Sequence, residues 1–160
     1  MNKKRIRRNE NIVKLSKEHH FSLLFCWKIR KGIKMETPAA RITKYVEYFK
    51  TNFLRPHFRE EEKILFAALK DKPVEKAIEQ HKEINILVAK PSKNTDPKSV
   101  EQLEKLSGIV DDHVRYEERQ LFPHIEKALT PAQLEAIGKQ LNEEHPLSKN
   151  EYEDEFWVKQ

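Results

Sequence analysis

His57 and Glu61, and again His113 and Glu117, repeat one small pattern: a histidine followed four residues later by a glutamate, inside an apolar stretch. On an α-helix, residues four apart share a face, so each pair presents an imidazole nitrogen and a carboxylate at one level. A carboxylate taken from water into a core needs a compensating charge. No Lys or Arg stands at neighbouring positions of either apolar stripe. Metal ions are the economical partners, and two such helices can clasp two of them.

Two further histidines extend the set. His81 falls on the inner side of its own helical stretch, and either His19 or His20 does so near the start of the chain. His19 continues the line of Ile12, Leu15 and Leu23, whereas His20 falls nearer Ser16 and Leu24, so His19 is preferred. A lone histidine on an apolar face is usually a hydrogen-bonded core residue; four of them with two glutamates form a far more specific pattern. Four imidazoles and two carboxylates suit a dinuclear centre with bridging carboxylates, terminal imidazoles and coordination positions to spare. Such donors suit Fe, Mn or Zn, and the absence of cysteine ligands argues against a structural zinc knot. The competing expectation is a helical bundle with a polar, metal-free centre.

The elements that must position these residues can be read from period and punctuation. A first helix is expected from about Asn11 to Lys31, stopped by Gly32. A second starts at Thr37-Pro38 and runs to about Lys70 on the stripe Ile42, Val46, Phe49, Phe53, His57, Glu61, Leu65, Ala68, with Pro56 bending it just before His57. Asp71 and Pro73 open a third, from about Pro73 to Ala89, along Val74, Ala77, Ile78, His81 and Val88. Residues 90–97 read as a surface loop. A fourth runs from about Pro97 to Leu129 on Leu103, Leu106, Val110, His113, Glu117, Leu121 and Ile125, with a kink at Pro123. Thr130-Pro131 starts a short fifth ending near Glu144, where His145-Pro146 breaks it. Tyr152, Phe156 and Trp157 in the tail are expected to dock on the bundle. Connections this short place successive helices side by side, so the expected fold is all-α: an up-down-up-down four-helix bundle with a short C-terminal helix.

Charge and composition narrow the function. Residues 1–14 carry Lys3, Lys4, Arg5, Arg7, Arg8 and Lys14 against Glu10, an excess of five that equals the net charge of +5 for all 160 residues. The body from residue 15 to 160, read as one domain, is therefore neutral and no nucleic-acid face is implied. The basic start is expected to fray as a flexible, solvated arm. No apolar run approaches a membrane span and none follows the basic start as in a secretory signal. The single cysteine, Cys26, lies among Leu23, Leu24, Phe25 and Trp27. It is expected to be a buried, inert thiol, compatible with a cytoplasmic protein. Glu60, Glu62 and Glu118 are expected on a solvated face.

The motifs Glu18-His19, His57-Phe-Arg-Glu-Glu61, Gln80-His81 and His113-Val-Arg-Tyr-Glu117 followed by Glu118 resemble those of hemerythrin-like, or HHE cation-binding, domains, over about Leu15 to Leu129. The ferritin-like signature places the glutamate first at a spacing of three, so that class fits worse. The resemblance implies a non-haem centre of two iron ions held by His19, His57, Glu61, His81, His113 and Glu117. It also implies a protein that binds dioxygen or another small diatomic for sensing, storage or the response to iron or nitrosative stress. An oxidase or peroxidase is the alternative. Oxygen carriers of the family place a second histidine four residues after the first on the third helix, where this chain has Asn85; a more open pocket is expected there. His20 and His145 are candidate fifth nitrogen ligands, and His124 is expected outside the cluster.

Overall fold

The computed structural model describes residues 7–89, 98–144 and 151–159. Helix α1 is Val13–Lys34. A second helical rod is built from α2 (Ala39–Phe49), a π-helical turn (Lys50–Leu54), α3 (Arg55–Glu60), a second π turn (Glu61–Leu65) and a closing 3-10 turn (Phe66–Ala68). Helix α4 is Lys72–Ala89. A fourth rod joins α5 (Lys98–Tyr116), a π turn (Glu117–Leu121) and α6 (Phe122–Ala128), and α7 (Pro131–Glu143) follows it. No strand occurs among the described residues.

The π turns have a physical cause that the sequence carries. Along the second rod the inward residues Phe49, Phe53, His57, Glu61 and Leu65 are four apart in unbroken succession, and every one of them is buried. At 3.6 residues per turn, each step of four overshoots a full turn by about 40°, so a pure α-helix would carry Leu65 out of the core. Wider π turns absorb that drift. Prolines reinforce them: Pro56 and Pro123 each stand second in the α segment that follows a π turn. A proline cannot donate to the carbonyl four residues back and crowds it. The bend expected before His57 and the kink expected at Pro123 thus take the form of a changed hydrogen-bond register.

The end of α1 departs from expectation. Gly32 lies inside the helix, and the chain stops instead at Met35–Glu36, where Glu36 adopts a left-handed φ of 58°. The Glu36 N–H donates to the Ile33 carbonyl and the Thr37 N–H to the Gly32 carbonyl, each at 3.0 Å, closing the two terminal rings of a Schellman motif. Gly32 serves packing: a Cβ there would lie 2.6 Å from the Phe156 ring. The tail docks as expected, with Phe156 buried and Tyr152 and Trp157 packed around Tyr45. Thr130 closes a capping box with Gln133 at the head of α7.

Two apolar clusters fill the bundle. One gathers Phe25, Ile29, Phe49, Phe53, Ile84, Val110 and Val114; the other gathers Leu15, Leu65, Ala77, Leu121, Phe122 and Ile125. Each of the four rods crosses from one cluster to the other, in alternating direction, so the fold is the up-down-up-down bundle. At the crossing each rod places a polar residue: His19 between Leu15 and Phe25, His57 and Glu61 between Phe53 and Leu65, His81 between Ala77 and Ile84, His113 and Glu117 between Val110 and Leu121. Leu23, expected on the inner line of α1, stands half-buried at its edge; the buried line runs through Leu15, His19, Ser22 and Cys26. Burial pushes the Cys26 thiol up to about 12, which leaves it inert.

The basic start behaves differently from a free arm once it reaches Arg8. The Arg8 guanidinium pairs with Glu118 and Glu126, the Asn9 N–H donates to Glu126, and Ile12 is buried. Residues 1–6, the expected loop at 90–97 and His145 lie outside the described residues.

Candidate metal centre

The structure brings His19, His57, Glu61, His81, His113 and Glu117 together at the waist between the two apolar clusters, each of them at most 3% exposed. They form two overlapping groups, His19–His57–Glu61–Glu117 and Glu61–His81–His113–Glu117, and within each group the ligand atoms lie within 4.8 Å of one another. Both carboxylates belong to both groups. Glu117 Oε1 is 3.0 Å from His19 Nε2 and 2.9 Å from His113 Nε2. Glu61 Oε1 is 3.3 Å from His57 Nε2 and 3.1 Å from His81 Nε2, while its Oε2 is 3.5 Å from His19 Nε2. Glu61 and Glu117 each open a π turn, a local widening often found at functional sites.

Most of these inward atoms have no hydrogen-bond partner. The Nε2 atoms of His57, His81 and His113, both oxygens of Glu61 and Glu117 Oε2 are buried and unsatisfied, although an opposite group is near. Close as the opposite groups lie, their mutual angles are not those of hydrogen bonds. A buried polar atom without a partner costs roughly 1–3 kcal/mol, so six at one spot ask for a common cation. Imidazole and carboxylate donors suit transition-metal ions, and the pairing of two groups through two shared carboxylates suits two of them.

The outward nitrogens are all held. Nδ1 of His19 lies 2.6 Å from Glu118 Oε1, Nδ1 of His57 2.9 Å from Glu18 Oε1, Nδ1 of His81 3.2 Å from Glu62 Oε2, and Nδ1 of His113 2.6 Å from Gln80 Oε1. With Nδ1–H donating outward, each imidazole, once its Nε2 is deprotonated, turns that nitrogen's lone pair to the centre. The four partners form a closed circuit. Each is the sequence neighbour of one inward residue and serves the histidine of another rod: Glu18 reaches from α1 to the second rod, Glu62 to α4, Gln80 to α5, and Glu118 back to α1. This corrects the expectation of a solvated face for Glu62 and Glu118, each of which holds an imidazole. Glu60 is also buried, paired at 2.6 Å with Lys14, whose ammonium lies 3.5 Å from Glu18. The available signal was adjacency, since an acid or amide stands beside His19, Glu61, His81 and Glu117.

Aromatic rings seal the imidazoles. Phe122 stacks on His19 at 5.2 Å and Phe58 on His81 at 3.9 Å, and Phe58 also meets the His113 ring edge-on at 5.7 Å. Asn85, expected to leave an opening beside His81, is exposed in a surface cleft whose wall includes the buried Phe58. His20 is exposed beside Phe21, away from the cluster. His124 pairs with Asp71 at 2.6 Å and stays outside, as expected.

Burial alone would lower the imidazole pKa values, but the facing carboxylates outweigh it. His57 and His81 are each pushed up to about 9, and His19 rises well above its ordinary value. Burial pushes the other way on Glu61, yet the charge of His57 and the close approach of the His19, His57 and His81 imidazoles hold it well below the usual carboxylate range. Glu117 is lowered too, its burial and the Glu61 charge outweighed by His113 and His19. Without metal, His19, His57 and His81 therefore favour their protonated forms beside ionised Glu61 and Glu117, and a cation entering the centre displaces those protons.

Comparison with curated proteins and with solved structures gave no match. The family model of the hemerythrin HHE cation-binding domain matches residues 12–125, well over half of the chain, so the chain belongs to that family.

Proposed function

We propose that the waist cluster holds two iron ions and that the centre takes up dioxygen or a related small diatomic such as nitric oxide, in sensing, storage or the response to iron or nitrosative stress. His19 and His57 would hold one ion and His81 and His113 the other, with Glu61 and Glu117 within reach of both. What supports this most is the set of buried, unpaired Nε2 and carboxylate oxygen atoms converging in two groups with two members in common. Iron bound there supplies a redox-active Lewis acid, and four imidazoles with two carboxylates are too few to fill the coordination of two such ions. The chain's own share is to fix each imidazole through its Nδ1 partner, to hold the bridging carboxylates ionised, and to keep bulk water out with Phe58, Phe66 and Phe122.

The test is anaerobic loading with ferrous iron followed by exposure to dioxygen and, separately, to nitric oxide. An absorption change that reverses when the gas is removed is the expected result. Continuous gas consumption with peroxide formed or consumed would instead assign the oxidase or peroxidase alternative. Iron bound with no response to either gas would overturn the proposal.

A further inference from the structure

Along the outer face of the second rod, Arg55, Arg59 and Lys63 stand four residues apart, and all three are exposed. Like charges at this spacing are neighbours on a helix and repel. Among the described residues none of the three has an acidic partner, whereas Arg8, Lys14, Arg30, Arg41 and Arg115 are all ion-paired. The row borders a cleft of about 530 Å³, a volume within the range of small-molecule sites. Lys50 also lines it but is paired with Glu47 at 2.8 Å, so the unpaired charge is that of the row, and the floor contributes the carboxamide of Asn85 and the apolar surfaces of Phe58 and Val88. Among the described residues Glu62 is the only acid lining it, and its Oε2 already accepts from His81 Nδ1. Concavity, uncompensated positive charge, one amide and a small apolar floor together describe a site for an anion that carries some carbon.

We propose that this cleft binds a small multivalent oxyanion, a phosphorylated or polycarboxylate metabolite, with Arg55, Arg59 and Lys63 on its charged oxygens, Asn85 on a further oxygen, and Phe58 and Val88 beneath its body. The site stands apart from the metal centre and does not depend on metal being bound, but it touches the centre's support at two points. Glu62 holds His81, and Phe58 lies flat against the same imidazole. Occupancy of the cleft therefore bears on His81 and leaves His19, on the opposite side of the cluster, undisturbed.

The experiment titrates the full chain at low ionic strength with inorganic phosphate, glucose 6-phosphate and tricarballylate, read by calorimetry and by the histidine ring proton resonances. Saturable binding of one anion per chain is expected, moving the His81 resonance more than that of His19. Arg55→Gln and Arg59→Gln should each weaken binding about tenfold, the effect of losing one charge-assisted hydrogen bond. Lys139→Gln on α7 removes a charge elsewhere and should leave it unchanged. A preference between the two phosphates and tricarballylate decides which oxyanion class the cleft takes. Lack of saturation with all three anions, or equal weakening by Lys139→Gln and Arg59→Gln, would overturn the proposal. Equal movement of the His19 and His81 resonances would overturn its link to the metal centre.

Discussion

Replacing Glu18 by Gln is an unusually clean perturbation of the cluster. Glu18 Oε1 lies 2.9 Å from His57 Nδ1, both side chains are 4% exposed, and the substitution keeps volume and one acceptor oxygen while removing the charge. Lys14, 3.5 Å from Glu18, retains its closer contact with Glu60 at 2.6 Å, so the surrounding packing has no reason to rearrange. What changes is the basicity of His57 Nε2, because a neutral amide polarises the imidazole less than a carboxylate does. Outer partners of this kind are worth about 10–100-fold in metal affinity, which corresponds to about 1.4–2.7 kcal/mol. Competition for iron or cobalt against a chelator of known affinity measures it, with far-ultraviolet circular dichroism as a check on helicity. Gln80→Glu gives the opposite sign, since His113 then gains the carboxylate partner that the other three imidazoles already have. Affinities within twofold of the parent for both variants, with helicity intact, would refute the idea that the Nδ1 circuit tunes the centre.

Other consequences follow from the same geometry. In the metal-free chain His57 and His81 have pKa values raised from 6.5 to about 9, so their contribution to stability is complete below about 6.5 and is lost as pH rises through about 9. Glu61 and Glu117 are lowered from 4.5, so theirs is complete above that value and is lost as pH falls; urea unfolding against pH should therefore peak between about 4.5 and 6.5. Gly32→Ala sets a methyl 2.6 Å from the Phe156 ring and 3.1 Å from Ile42, which should lower stability by about 1–3 kcal/mol and free the tail, read from Trp157 fluorescence. Asn85→His should leave metal content unchanged, because Asn85 is exposed and Phe58 covers His81; elemental analysis showing a changed metal content would contradict that placement.

The inward residues were legible because amphipathic phase is a local property. His57, Glu61, His113 and Glu117 sit on unbroken apolar stripes, and the phase of Ile12 and Leu15 was enough to prefer His19 over His20. The π turns were written in the same stripes, as runs of four-residue spacing that an α-helix cannot keep on one face. The Nδ1 partners were not legible, because each acts across to another rod and only the assembled bundle decides which acid faces which imidazole. Gly32 misled for the same reason. Its value comes from Phe156, more than a hundred residues away in sequence, whereas the true stop uses Glu36 in a conformation that few non-glycine residues adopt. Asn85 lies four residues after His81, which predicts a shared face, but the bulk of Phe58 from the neighbouring rod decides what reaches the cluster.

If two cations share Glu61 and Glu117 at the waist of the bundle, an anaerobic ferrous iron titration of the chelator-stripped protein, with elemental analysis at the endpoint, counts them. Saturation at about two irons per chain is predicted, falling to one or fewer in Glu61→Gln and Glu117→Gln while helicity is kept. Saturation at a single ion, or two irons retained in both variants, would contradict it.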